Sequence, residues 1–230
     1  RLLRGGSFGD IAPNCLMTSR PAENPTARYF TYGFRLALRP DRPGPKEIPS
    51  KTSESQPARA NAPFDSKQAR AHQEAWAKHL GVPVEYTNSI GMKFMLIPPG
   101  EFMMGSTPEE IEGALKEVQP NDTHWRECIR SEAPQHKVIL TQPIYLGVNE
   151  VTQAEYEKVM GSNPSHFSAN GQGKEAVAGL KTTGHPVEVV SWNDAAEFCA
   201  KLSNQEKMKP FYSRAGETIT PLDGTGYRLP

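Results

Sequence analysis

The sequence predicts an α+β, loop-rich fold. Two observations carry this. Gly and Pro together make up 40 of 230 residues, well above the usual ~12%. Short period-2 strands also alternate irregularly with short amphipathic helices across long loops, an order that fits α+β better than any repeating βαβ unit. Other features narrow the class. Lys+Arg and Asp+Glu both number 26, so the chain offers no electrostatic footprint for nucleic acid or an anionic membrane. No stretch reaches the ~20 apolar residues of a membrane span. The three cysteines, Cys15, Cys128 and Cys199, are too few and too scattered for a disulfide scaffold or a zinc site. The chain begins at Arg1 and stops at Pro230, and the natural protein is expected to be longer on both sides.

Composition divides the chain into three parts. Residues 1–39 end in the alternating run Tyr32-Gly-Phe34-Arg-Leu36-Ala-Leu38, which reads as a strand at the edge of something larger. Residues 40–63 hold six prolines and almost no large apolar side chains. Such a segment buries too little surface to offset its ordering entropy and reads as a linker. Residues 64–230 carry the remaining organised elements. The first 60 residues hold 10 basic and 5 acidic side chains, an excess too small to identify a partner.

In the third part, Ala69, Gln73, Trp76 and Leu80 recur at helical spacing before Gly81, predicting an amphipathic helix over 65–80 that leans on the following domain. Lys93–Ile97 and Glu101–Met104 read as strands, and the Pro98-Pro99-Gly100 connector predicts a tight antiparallel hairpin. Thr107-Pro108-Glu-Glu110 is a capping box with Pro at the first helical position; its helix turns Ile111, Leu115 and Val118 inward. Residues 136–148 read as two strands broken at Pro143. A second capping box, Thr152 to Glu155, opens a helix with Tyr156, Val159 and Met160 on its apolar face and Gly161 at its end. Pro186–Val190 reads as a strand. Ser191-Trp-Asn-Asp194 starts a last helix whose buried stripe is Ala195, Phe198, Cys199 and Leu202. Residues 207–226 read as irregular.

These blocks resemble a known family. Ile90-Gly-Met-Lys-Phe-Met-Leu-Ile-Pro-Pro-Gly-Glu-Phe-Met-Met-Gly-Ser106 is similar to the opening of the sulfatase-modifying-factor (formylglycine-generating enzyme) domain. The pattern continues in Glu132–Val138, Asn149-Glu-Val-Thr-Gln-Ala-Glu-Tyr156, His185-Pro-Val-Glu-Val-Val-Ser-Trp-Asn-Asp-Ala-Ala196 and Tyr227-Arg-Leu-Pro230. Arg4-Gly-Gly-Ser-Phe8 and Gly33-Phe-Arg35 resemble that domain's closing segment. The resemblance therefore implies residues 1–39 as the C-terminal segment of one copy, 40–87 as a Pro-rich linker plus helix, and 88–230 as the N-terminal part of a second copy, in a bacterial tandem-domain protein. Docking of the first piece onto the second is allowed by the linker's length but ranks below two separate pieces, since the domain's central stretch is missing from both.

The resemblance further implies a C-type-lectin-like fold. It also implies oxidation of a cysteine in a Cys-x-Pro-x-Arg protein or peptide substrate to formylglycine by molecular oxygen, with Cu(I) held by two cysteines and Ca(II) bound elsewhere. Soft thiolates select Cu(I). Counted from Gly5-Gly6-Ser7, the first copper cysteine falls at Asp10 and the second at Cys15. A carboxylate is a hard ligand and a poor substitute. Ser7 matches the serine bordering the oxygen and substrate pocket. By itself, Cys15 reads more readily as a packed free thiol than as a metal or redox residue, and no calcium ligands can be assigned.

The remaining candidates have plainer readings. His124 and Cys128 are four apart, a surface and a core residue if helical. Cys199, Trp76 and Trp192 read as core, and Glu150 and Asp194 as capping or loop-bracing carboxylates. His136, His166 and His185 form no metal-ligand spacing. No Gly-x-Ser-x-Gly, Walker or Gly-x-Gly-x-x-Gly pattern supports a hydrolase, kinase or dinucleotide reading. Two functions stay open: an oxidase like formylglycine-generating enzymes, and a non-catalytic protein- or peptide-binding module, which includes service as an accessory domain on a signalling chain.

Overall fold

A computed structural model describes residues 25–28, 33–40 and 56–230. Two long chain segments, 93–104 and 136–147, run antiparallel and form the frame. The first comprises strands β4 (Lys93–Ile97) and β5 (Gly100–Met104), the second β6 (His136–Leu140) and β7 (Ile144–Gly147). β4 pairs with β7, Ile97 opposite Ile144, and β5 with β6, Gly100 opposite Leu140. Both segments bend at their prolines. There Pro98 and Pro99 face three residues, Thr141, Gln142 and Pro143, a bulge-like mismatch that kinks a ribbon.

The expected β4–β5 hairpin is thus corrected. Both strands form, but they belong to different sheets. Pro98 and Pro99 lack the N–H groups that a ladder needs, so they carry the chain from one sheet to the next instead of folding it back. Gly100 receives β2 (Ala60–Asn61), which pairs parallel to β5 with Ala60 opposite Gly100. A Cβ on Gly100 would lie 2.0 Å from the Ala60 carbonyl oxygen, so only glycine permits this approach. The linker reading accordingly fails at its C-terminal end, where Ala60 is buried and the Ala58 carbonyl accepts a 3.0 Å hydrogen bond from Trp76 Nε1.

The four-stranded sheet has the order β1-β7-β4-β3, with β1 at Ala37–Leu38 and β3 at Glu85–Thr87. The three-stranded sheet is β2-β5-β6. A two-stranded ribbon, β8 (Tyr212–Ala215) with β9 (Thr218–Pro221), falls where irregular chain was expected. Its alternation is mostly polar, and Gly216 at φ 60° makes the turn. The expected strand Pro186–Val190 shrinks to a single bridge between Thr152 and Pro186, since Val189 at φ 60° breaks the extended path.

Helices follow their caps. α1 (Ser66–Leu80) is capped by Asp65 and closed by Gly81 in the left-handed region. The boxes at Thr107 and Thr152 open α2 (Pro108–Glu117) and α4 (Gln153–Met160), and Ser191 opens α5 (Trp192–Gln205). α2 is only half-buried along Ile111 and Leu115. α3 (Thr123–Arg130), not anticipated, is capped by Asp122. None of the helices among the described residues is long and apolar enough to cross a membrane.

The core lies between the four-stranded sheet and helices α1, α4 and α5. It joins Trp76, Phe94, Leu96, Tyr145, Tyr156, Phe198, Cys199, Leu202 and Tyr227 with Leu36 and Leu38. The last two belong to the N-terminal part, so residues 33–38 share one core with the chain after residue 88. Phe34 completes this union edge-on to Phe198 at 5.5 Å and Tyr156 at 6.3 Å.

Leu36 is 1% exposed, so Leu36→Ala should cost about 2–5 kcal/mol in urea unfolding. Ile139, 49% exposed on β6, should tolerate Ile139→Ser within about 0.5 kcal/mol. Equal losses at both positions would show that β1 is not packed in the core.

Candidate functional site

A cluster of ion-paired side chains lies at the N-terminus of α5. Ser191 and Asp194 form a reciprocal cap: Asp194 N–H donates to Ser191 Oγ at 3.1 Å, and Ser191 N–H donates to Asp194 Oδ2 at 3.0 Å. This geometry holds the Asp194 carboxylate, itself buried, over the first turn of α5. Arg28 grips it with two hydrogen bonds, Nε to Oδ2 at 2.8 Å and Nη2 to Oδ1 at 3.1 Å. Arg214 of β8 approaches from the other side, giving 3.0 Å to Asp194 Oδ1 and 2.8 Å to Glu197 Oε2. Beside them, Asn193 N–H donates to the Pro25 carbonyl at 3.1 Å. Residues 25–28 are therefore fastened to α5 by a backbone bond and a forked ion pair.

Burial alone would raise the Asp194 carboxyl, but hydrogen bonds from Arg28, Ser191 and Arg214 outweigh it and hold the group well below its ordinary 3.8. A carboxylate so firmly ionised has no proton to give near neutrality, so Asp194 anchors and does not act as a general acid. Below it, Tyr156 stacks on Phe198 at 5.5 Å and 5°, and burial pushes its hydroxyl far above the usual tyrosine range. An open groove of about 680 Å³ adjoins the cluster, lined by Glu197, Lys201, Asn204, Tyr212, Arg214 and Glu217. Its rim carries charges of both signs, Glu197, Lys201, Arg214 and Glu217.

The sequence-derived site residues divide as follows. Ser7, Asp10 and Cys15 lie outside the described residues. Asp194 braces as expected, while Glu150 sits beside Gly33, where an added Cβ would lie 3.0 Å from Glu150 Oε1. Burial raises the Glu150 carboxyl, opposed by the charge of Arg35. Cys199 is fully buried, and burial pushes its thiol far up. Cys128 is buried on α3, 3.8 Å from Nε2 of exposed His124. Among the described residues, no group of three His, Cys, Asp or Glu side chains is arranged to hold a metal ion.

Sequence reasoning missed Arg28, Arg214, Glu188 and Glu206. Glu206 accepts from Ser89 N–H at 2.8 Å and from the Tyr86 and Tyr227 hydroxyls at 3.2 and 3.0 Å. Glu188 accepts from the N–H groups of His166 and Phe167 at 3.0 and 2.8 Å. The partners named above lie 17 to 166 positions away, beyond any local spacing rule. The only signal was that Glu188 and Tyr227 stand inside family-like blocks.

A loop-rich α+β domain of bent, mostly antiparallel sheets, with helices started by capping boxes and braced by carboxylates, is the class these features define. The chain belongs to the sulfatase-modifying factor enzyme 1-like domain family, whose model matches residues 82–230. It is 39% identical over 85 residues to "Chaperone protein LppX" of Paenibacillus barcinonensis, covering 37% of this chain and 26% of that protein. The chain thus spans about a quarter of the length of that curated relative. Treponema denticola variable protein 1, a solved structure, is 28% identical, with a TM-score of 0.41 over 60% of this chain and 42% of its own.

Two outcomes test this site. The folded Asp194 carboxyl titrates below its unfolded value, so its contribution to stability is present above about pH 4 and is lost as pH falls below that. Asp194→Asn should therefore lower stability by about 1–2 kcal/mol at pH 7, discounted for the half-exposed Arg28, and flatten the loss between pH 4 and 2 in denaturant titrations. Alkylation with iodoacetamide, mapped by mass spectrometry, should modify Cys199 only after unfolding, since the thiolate is the reactive form.

Proposed function

We propose that this chain is a protein- or peptide-engaging member of the sulfatase-modifying-factor family, with a C-type-lectin-like fold and parts of two tandem copies, and that it binds a target without oxidising it. The observation that carries this reading is Asp10 at the place of the first copper cysteine. One carboxylate and one thiolate do not make the two-thiolate set that holds Cu(I), so the residues present do not fit copper and no oxidation step is derived through it. The scaffold is retained meanwhile: the capping boxes, the Glu188 and Glu206 braces and the Tyr227 anchor all serve structure. The polar groove beside α5 and β8 is the surface offered for an extended partner.

A second reading concerns the other copy, of which residues 88–230 are read as the N-terminal part. In a longer chain that completes the other copy with both thiols, the family's conversion of a Cys-x-Pro-x-Arg cysteine to formylglycine would be available to that copy.

The test uses the whole chain with a Cys-x-Pro-x-Arg peptide. Fluorescence anisotropy should report binding that Cys15→Ala leaves within twofold, while an oxygen electrode reports no copper-dependent uptake. Asp10→Cys should tighten Cu(I) at least 100-fold in competition with a chromophoric chelator. Oxygen uptake by the unaltered chain would overturn the binding reading in favour of the oxidase.

A further inference from the structure

We propose that the slot between β7 and Arg228 is a strand-acceptor site, able to take residues 33–38 from a second copy of this chain. The segment is held as an extended peptide ligand is held. Main-chain bonds run to both sides: Gly147 N–H to the Leu36 carbonyl at 2.8 Å, Val151 N–H to the Phe34 carbonyl at 2.9 Å, and a reciprocal pair between Ala37 and Arg228 at 2.7 and 2.9 Å. Side chains then select the sequence. Gly33 lies against Glu150 and the Val187 carbonyl, where a Cβ would come within 3.0 and 3.4 Å. Phe34 fits between Tyr156 and Phe198. Leu36 and Leu38 enter the core, 1% and 0% exposed, while Arg35 and Arg39 stay outside.

Nothing in these contacts depends on the covalent path. From Leu38 to Ala60 the chain has 22 peptide steps, enough to reach at most roughly 75 Å. What fixes the segment is pairing and packing, and the same bonds form whichever copy supplies it. Exchange of an identical element between copies changes no contact in the slot. Intrachain filling wins at low concentration because a short tether gives an effective concentration near the millimolar range; severing the tether removes that advantage. Arg28 and Pro25, fastened to α5, give the incoming segment a second point of attachment. This inference is independent of the copper reading.

The test keeps the full chain and places a specific protease site between residues 41 and 55. After cleavage at micromolar concentration, the N-terminal piece should co-elute with the rest on gel filtration. A fluorescent synthetic peptide of residues 25–40, standing for the segment of another copy, should replace it with time and excess. The same peptide with Leu36→Asp should compete at least 100-fold less well, and Arg28→Ala about tenfold less well. The proposal is overturned if the wild-type peptide never enters, if Leu36→Asp enters equally, or if the cleaved chain precipitates whether or not peptide is supplied.

Discussion

Carboxylates turned inward onto the chain's own backbone hold this structure together. A domain with this much irregular chain cannot satisfy its N–H groups by ladders and helices alone, and each one left unpaired in the interior costs roughly 1–3 kcal/mol. Glu188 serves the backbone of His166 and Phe167 at the foot of the long 161–185 loop. Glu206 at the end of α5 serves Ser89, and Asp194 at its start serves Ser191. A single helix, α5, therefore carries a brace at each end. Its middle supplies Phe198, Cys199 and Leu202 to the core. Loops, sheet and N-terminal segment are all referred to that one rod.

This arrangement commits Asp194 and Glu188 to structural contacts. A general acid or base needs a carboxyl poised to exchange a proton. Asp194 is locked ionised between two guanidinium groups, and Glu188 is consumed by two amides. The rim of the α5–β8 groove stays in contact with solvent at Lys201 and Glu217.

How much of this could be read in advance differs by type of feature. The capping boxes at Thr107, Thr152 and Ser191 were legible because their partners sit three residues apart. The buried stripe of α5 and the four strand segments of the ribbon were legible from period alone. Pairing was not. Pro98-Pro99 resembles a hairpin turn locally, and only the positions of β6 and β7 show that the chain crosses between sheets there. β8 and β9 escaped notice because their alternation is written in Ser, Arg and Thr, not in apolar residues. The Arg28–Asp194 pair was illegible in principle, spanning 166 positions. Asp10 and Cys15 lie outside the described residues, and the sequence speaks only to their donor chemistry, one carboxylate and one thiol.

The bridge between Ala37 and Arg228 has a consequence for synthesis. Its partners are separated by almost the full length of the chain, so a ribosome working at about 5–20 residues per second takes roughly 10–40 s to add the second after the first. Throughout that interval Leu36 and Leu38 have emerged without their covering. A newborn chain therefore carries this segment uncovered while the residues up to Arg228 are still being made, and any stall in translation lengthens the time that two leucines and a phenylalanine stand unprotected.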